Sequence, residues 1–232
     1  MRAHKLLLAL ALALTAACSA NPTALRRGKD VYPNFTALQA ANTEGLDYSR
    51  EAYDRGSKAA VFAIHGGDIE RATARIARRI AGKDFNLYIF NGWQGARSGG
   101  LHVTATRFND PAALSLAASS VLGVSLHAQA DRGSWVCVGG SNTQAAQLVS
   151  ARLNTAGFMA ETPCPRLPGT SRENIVNRPA AGGVQLELTL RLLASLENDE
   201  ENLAKFSEAV RTAVLEALQL AAPYSNKENA TK

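Results

Sequence analysis

Histidine and cysteine are scarce in this chain, with four and three among 232 residues, so a metal or thiol site could be built in few places. Basic runs with interleaved aromatics are missing, which leaves nucleic-acid binding without its electrostatic footprint. The P-loop lysine and spacing are missing too. The glycine-rich stretch Gly92-Trp93-Gln94-Gly95-Ala96-Arg97-Ser98-Gly99-Gly100 therefore reads as a mobile loop over a sheet. The apolar run at 6–14 is too short to cross a bilayer as a permanent helix. No internal repeat is visible. What is present is a 46% hydrophobic chain, long enough to bury a sizeable core.

Arg2 and Lys5 precede that apolar run, and Ala16, Ala17 and Cys18 follow it, which is the order of a secretory signal over residues 1–17. Leu14-Thr15-Ala16-Ala17-Cys18 resembles a bacterial lipoprotein box with Cys18 as the lipidated residue; ordinary cleavage near Ala20 is the alternative. Either route exports the chain to the bacterial cell envelope or periplasm, lipid-anchored through Cys18 or secreted without it. Export leaves Cys137 and Cys164 as the remaining thiols, and in an oxidising compartment they are expected to pair. A zinc-ligand pair is the weaker alternative, because neither cysteine has a close second cysteine or histidine. Losing Arg2 and Lys5 lowers the formal charge of +5 by two, a mild basic excess compatible with a polyanionic substrate.

Residues 18–57 are polar and punctuated by Pro and Gly, and read as a tether and irregular segment with one short helix at 35–42. A continuous apolar run at 59–64 suits a strand buried on both faces. An amphipathic helix follows at 69–81, stopped by Gly82. Further strands are expected at 86–91, 101–106, 121–127, 135–138 and 184–190. Helices are expected at 111–120, from the Asn142 cap to 156, and at 202–220, with a long loop at 163–181. This alternation predicts an α/β fold, a mixed and mostly parallel sheet between helical layers, as a single domain over 58–222 with a tail at 223–232.

Two histidines and a carboxylate commonly hold zinc and leave room for water. His65 and Glu70 flank a turn at Gly66-Gly67-Asp68, and His127 ends a strand, where a ligand can meet others from neighbouring strand ends. The ordinary alternatives are a backbone-bonded His65, a Glu70 that stabilises a helix start and a polar strand terminus at His127. His102 can be a ligand, a group that supports a ligand or binds substrate, or a satisfied core histidine. Glu187, inside the apolar strand Val184-Gln185-Leu186-Glu187-Leu188, is the candidate proton acceptor, since burying a carboxylate is costly without a task or partner. Asn177 and Arg178 precede that strand; Arg178 can clamp a substrate carboxylate or pair with a surface acid.

Taken in order, His65-Gly66-Gly67-Asp68-Ile69-Glu70, Leu101-His102-Val103-Thr104, Val124-Ser125-Leu126-His127, Val138-Gly139-Gly140, Asn174-Ile175-Val176-Asn177-Arg178 and Gly183-Val184-Gln185-Leu186-Glu187 resemble the poly-γ-glutamate hydrolase family. The resemblance implies a zinc carboxypeptidase-like fold with one zinc ion, held by His65, Glu70 and His127, and Glu187 as general base. It also implies hydrolysis of γ-glutamyl amide bonds in a polymer or peptide. Arg178 is expected to stabilise the developing oxyanion or to hold a substrate α-carboxylate, Asn177 and His102 are the other candidate substrate-binding residues, and the resemblance leaves the role of His102 open. A monomer is expected, with no nucleic-acid partner and membrane contact only through the lipid anchor. The alternatives are a peptidase acting on γ-glutamyl links of peptidoglycan stem peptides and a non-catalytic lipoprotein that binds an anionic polymer. One departure is Asn177-Arg178-Pro179-Ala180, where relatives often carry a cysteine after the arginine.

Overall fold

In chain order the elements are α1 (Phe35–Ala41), β1 (Tyr48–Tyr53), β2 (Ala59–Gly67), α2 (Thr73–Ala81), β3 (Asn86–Gly92), α3 (Pro111–Ala118), β4 (Leu122–Gln129), β5 (Val136–Gly139), α4 (Thr143–Thr155), β6 (Ala160–Glu161), β7 (Gly183–Thr189), α5 (Leu190–Asn198) and α6 (Glu200–Glu228). They come from a computed structural model that describes residues 29–228. The seven strands form one mixed sheet in the order β1-β3-β2-β4-β7-β5-β6. β3, β2, β4 and β7 run parallel, while β1 and β5 join antiparallel.

Alternation along the central strands sends apolar side chains into two separate cores. Val61, Ala63, Leu87, Ile89, Val124, Leu126, Val184 and Leu186 pack against the layer of α2, α4, α5 and α6. Ala60, Phe62, Ile64, Tyr88 and Phe90 face the other way, onto Phe35 and Leu38 of α1 and Leu116 of α3. Past that second core, the same face of β4 and β7 carries Ser125, His127, Gln185 and Glu187, all buried and all polar. Polar residues buried in this number need partners or a bound group, and they locate the site.

Several elements differ from the sequence expectation. The irregular segment before residue 57 contributes α1 and edge strand β1, and its Phe35, Leu38 and Tyr48 are almost fully buried. Each of these is worth roughly 1.5–3 kcal/mol of burial, so the segment is part of the fold. No strand forms at 101–106. Two 3₁₀ turns, Gly95–Leu101 and Ala105–Arg107, flank an extended link there. Leu101 and Val103 are buried in the alternating pattern of a strand, but the link joins no ladder of the sheet. The strand expected at 184–190 ends at Thr189, where α5 begins, and α6 runs on through 223 to Glu228. Cys137 of β5 is disulfide-bonded to Cys164 of the long loop, as expected.

Candidate metal centre

β2 delivers His65 to the site through an irregularity. In strict alternation His65 would share the helix-covered face of Val61 and Ala63. The pairing to β3 shifts between Ala63, opposite Ile89, and Gly66, opposite Asn91, so three steps on β2 match two on β3. That bulge turns His65 onto the face of His127. The two glycines hold it by different means. Gly66 lies where a Cβ would come 2.5 Å from Asn91 Oδ1 and 2.9 Å from Phe90 O. Gly67 has φ +66°, a left-handed conformation. The strand thus continues through both glycines, whereas the sequence reading places a turn there.

The helix expected from 69 starts at Thr73. Glu70 sits in the intervening turn, with its backbone N–H donating to His65 O at 2.7 Å, and this closes the five-residue gap between the two side chains. Glu70 Oε1 lies 3.0 Å from His65 Nδ1, and Oε2 accepts from the Ala128 backbone N at 3.0 Å. His127 Nδ1 is 3.1 Å from His65 Nδ1 and 3.6 Å from Glu70 Oε2.

The three residues are buried, and each offers one ligand atom to a single cluster. His65 Nε2 lies 2.9 Å from Val103 O, a carbonyl that can only accept, so this nitrogen carries the proton and Nδ1 turns a lone pair inward. His127 Nε2 is buried without a partner, so no protein group fixes its tautomer. Lone pairs that converge in this way need positive charge between them, from a shared proton or a cation. Ligands 2.0–2.1 Å from a tetrahedral zinc would stand about 3.3 Å apart, and the observed separations bracket that spacing. The donor set fits zinc on geometry and on chemistry. Burial opposes ionisation of Glu70, but the His65 imidazole and hydrogen bonding to both histidines outweigh it and hold the carboxyl well below its ordinary range.

Glu187 stands directly beside His127 in the β4–β7 pairing. Burial, reinforced by the Glu70 charge, pushes its carboxyl well above the ordinary value. Its Oε1 accepts from Gln185 Nε2 at 2.8 Å, and Gln185 Oε1 accepts from Asn174 Nδ2 at 2.7 Å. Gln185 and Asn174 are the orienting residues that the sequence reading did not assign; the signal for Gln185 is an amide two residues before Glu187 on the same strand face, and Asn174, outside the strand, has no such spacing. The His102 ring stacks on His65 with centroids 4.0 Å apart and an interplanar angle of 26°. Burial, aided by His65 and opposed by Glu70 and Asp30, pushes His102 down to about 4.

A cavity of about 400 Å³ opens over these groups, walled on one side by Arg166, Leu167, Pro168 and Gly169 of the disulfide-anchored loop. Asn177 and Arg178 do not reach it. The Asn177 side chain bonds to Ser141 N, Gly169 O and Ser171 O, which braces the loop from behind. Arg178 is exposed, and the one hydrogen bond of its side chain is a long one to Glu173 O. The cation at the cavity is Arg166, ion-paired with Asp131. A larger groove of about 1050 Å³ lies among α2, α4 and α6, away from these groups, and its basic side chains each pair with an acid.

Fold and site together define a class: a mixed α/β protein with a candidate metal centre at the carboxyl ends of parallel strands and a buried carboxyl beside it, the parts that a hydrolase uses. The family model for poly-gamma-glutamate hydrolase matches residues 32–216, and the chain belongs to that family. It is 36% identical over 172 residues to the UPF0714 protein YndL of Bacillus subtilis strain 168, covering 72% of this chain and 67% of YndL. It is 34% identical over 163 residues to the SPbeta prophage-derived UPF0714 protein YoqZ of the same strain, covering 69% of this chain and 59% of YoqZ. Among solved structures, a bacteriophage poly-gamma-glutamate hydrolase superposes with a TM-score of 0.78 at 32% identity, over 83% of this chain and 100% of the other. A zinc-free apo structure of YndL superposes with a TM-score of 0.74 at 30% identity, over 82% and 99%.

Proposed function

We propose that this protein is an exported zinc-dependent hydrolase of γ-glutamyl amide bonds, acting on poly-γ-glutamate. The observation that carries the reading is the convergence of His65 Nδ1, Glu70 and His127 Nδ1 within 3.0–3.6 Å, beside a carboxyl in register with His127. The zinc-free form of YndL supports the choice of metal. Zinc bound by these three residues would supply Lewis acidity, which polarises an amide carbonyl and acidifies water.

The chain's own residues do the rest. Gln185 holds Glu187 Oε1, which leaves Oε2 to take a proton from the attacking water and deliver it to the departing nitrogen. Burial and the Glu70 charge raise Glu187 above an ordinary carboxyl, which makes it a stronger base toward the water than an exposed glutamate. Arg166 meets the α-carboxylates that every residue of the polymer carries, and its present partner Asp131 holds it at the cavity wall.

Chelator-treated and zinc-restored protein should be given poly-γ-glutamate and, separately, muropeptides, and new amino groups counted. The reading predicts cutting of the polymer that is lost with the metal and restored by zinc. Cutting of muropeptides alone would replace the substrate, and no cutting of either would leave a polymer-binding protein. Export and lipidation rest on residues 1–17 and Cys18, which lie outside the described residues. Labelling with radioactive palmitate, lost in Cys18→Ser, tests that part; equal labelling of the variant would reject it.

A further inference from the structure

Asp30 precedes α1, 72 residues before His102, and belongs to none of the motifs that single out the other site residues. Both its oxygens are committed. Oδ1 lies 2.7 Å from His102 Nδ1, and Oδ2 accepts from the Thr104 backbone N at 2.8 Å. The Asp30 side chain is 3% exposed, whereas that of His102 is 27% exposed and lines the cavity. Between these two anchor points, Val103 O accepts from His65 Nε2. One carboxylate from the N-terminal segment therefore fixes the link that holds His65 from behind and His102 from the side. An ionised carboxylate can only accept, so the proton between Asp30 and His102 sits on Nδ1, and Nε2 is the nitrogen left for the cavity.

We infer that Asp30 is a positioning residue that locks His102 in the Nδ1–H tautomer, so that His102 Nε2 accepts a hydrogen bond from an amide N–H of the bound polymer. This rests on the reading of the cavity as a γ-glutamyl amide site. The chemistry matches, because each γ-glutamyl link presents one N–H donor alongside its carboxylate. Arg166 offers donors only and suits the carboxylate. Gln185 is spent between Asn174 and Glu187. The site then reads both halves of the repeating unit, with Arg166 on the acid and His102 on the amide.

Asp30→Asn separates this role from mere support. An asparagine cannot accept at both positions. If its oxygen keeps the Thr104 N–H, its amide donates to His102 Nδ1 and drives the ring to the Nε2–H tautomer. The first readout is heteronuclear NMR of the ring nitrogens in zinc-loaded protein, with His102 assigned by its loss in His102→Ala. The wild type should show Nδ1 protonated and Asp30→Asn should show Nε2 protonated, at equal zinc content. This result does not depend on hydrolysis, so it stands or falls separately from the substrate reading. The second readout is kinetic. Asp30→Asn should raise KM for poly-γ-glutamate roughly tenfold, the effect of one lost hydrogen bond, with little change in kcat. Combining it with His102→Ala should add nothing to the effect of His102→Ala alone. An Nε2–H tautomer in the wild type, an unchanged tautomer in Asp30→Asn, or additive effects in the double variant would each overturn the inference.

Discussion

Replacing Gly66 with alanine tests how the fold aims His65. The new Cβ would meet Asn91 Oδ1 at 2.5 Å, Ala74 Cβ at 2.9 Å and Phe90 O at 2.9 Å. Asn91 can swing aside, since its contacts to Ser49 and Glu51 are long at 3.4 Å. The other two cannot, because one is a main-chain carbonyl in the sheet and the other has no rotatable bond. β2 must therefore move from β3 or from α2, and overpacking of this kind costs about 1–3 kcal/mol. For a chain of this size that corresponds to a Tm lowered by roughly 2–12 °C. The residue next to the substitution is His65, whose Nδ1 must stay near Glu70 and His127, so zinc affinity should fall about 10–100-fold as well. Calorimetry of metal-free protein reads the first effect, and competition with a chromophoric chelator reads the second. A Tm within about 1 °C of the wild type together with unchanged zinc affinity would show that the close approach at Gly66 neither constrains β2 nor sets the His65 position.

Other outcomes follow from the same geometry. Glu187 has a folded pKa raised above its ordinary 4.5, so it holds its proton more tightly folded than unfolded and lowers stability as pH rises from that value upward. Metal-free Glu187→Gln should accordingly be more stable than wild type at neutral pH and gain nothing below about pH 4, as followed by urea unfolding across pH. Changing Cys137 and Cys164 to serine opens a closure of 27 residues and should cost about 3–4 kcal/mol, measured by denaturant titration. Because that bridge anchors the loop with Arg166, KM should rise in the same variant. Arg166→Ala should raise KM for the polymer with kcat nearly unchanged, while Arg178→Ala should change neither; the reverse result would return the substrate cation to the position that the sequence suggests.

The site was legible in the sequence where side-chain chemistry coincides with a strand end. His127 and Glu187 follow apolar alternation into the sheet, and their shared row follows from parallel pairing. His65 and Glu70 were legible as a pair, but the route between them was not. The bulge and the His65 O to Glu70 N bond depend on pairing with β3, which local spacing does not encode. Strand β1 is not legible locally, because Tyr-Ser-Arg-Glu-Ala-Tyr has one well-buried residue and reads as polar coil; its hydrogen bonds to β3 make it a strand. The link at 102–104 mimics a strand because burial of Leu101 and Val103 alternates with exposure whether or not a ladder forms. Arg166 and Arg178 lie in one loop; Arg166, two residues after the disulfide-bonded Cys164, lines the cavity and Arg178 does not, a distinction set by loop closure that local sequence does not carry. Asp30 carries no local signal, since its partners lie more than seventy residues away.

The central claim is that a zinc held by His65, Glu70 and His127 works with Glu187 to hydrolyse a γ-glutamyl amide. Its most direct test is the cutting rate on poly-γ-glutamate of wild type and Glu187→Gln, each measured at known zinc content. The account predicts one zinc per chain in both proteins and a rate at least about a hundredfold lower in the variant, the contribution of a positioned acid–base group. Equal rates at equal zinc, or full activity in wild-type protein that holds no zinc, would contradict it.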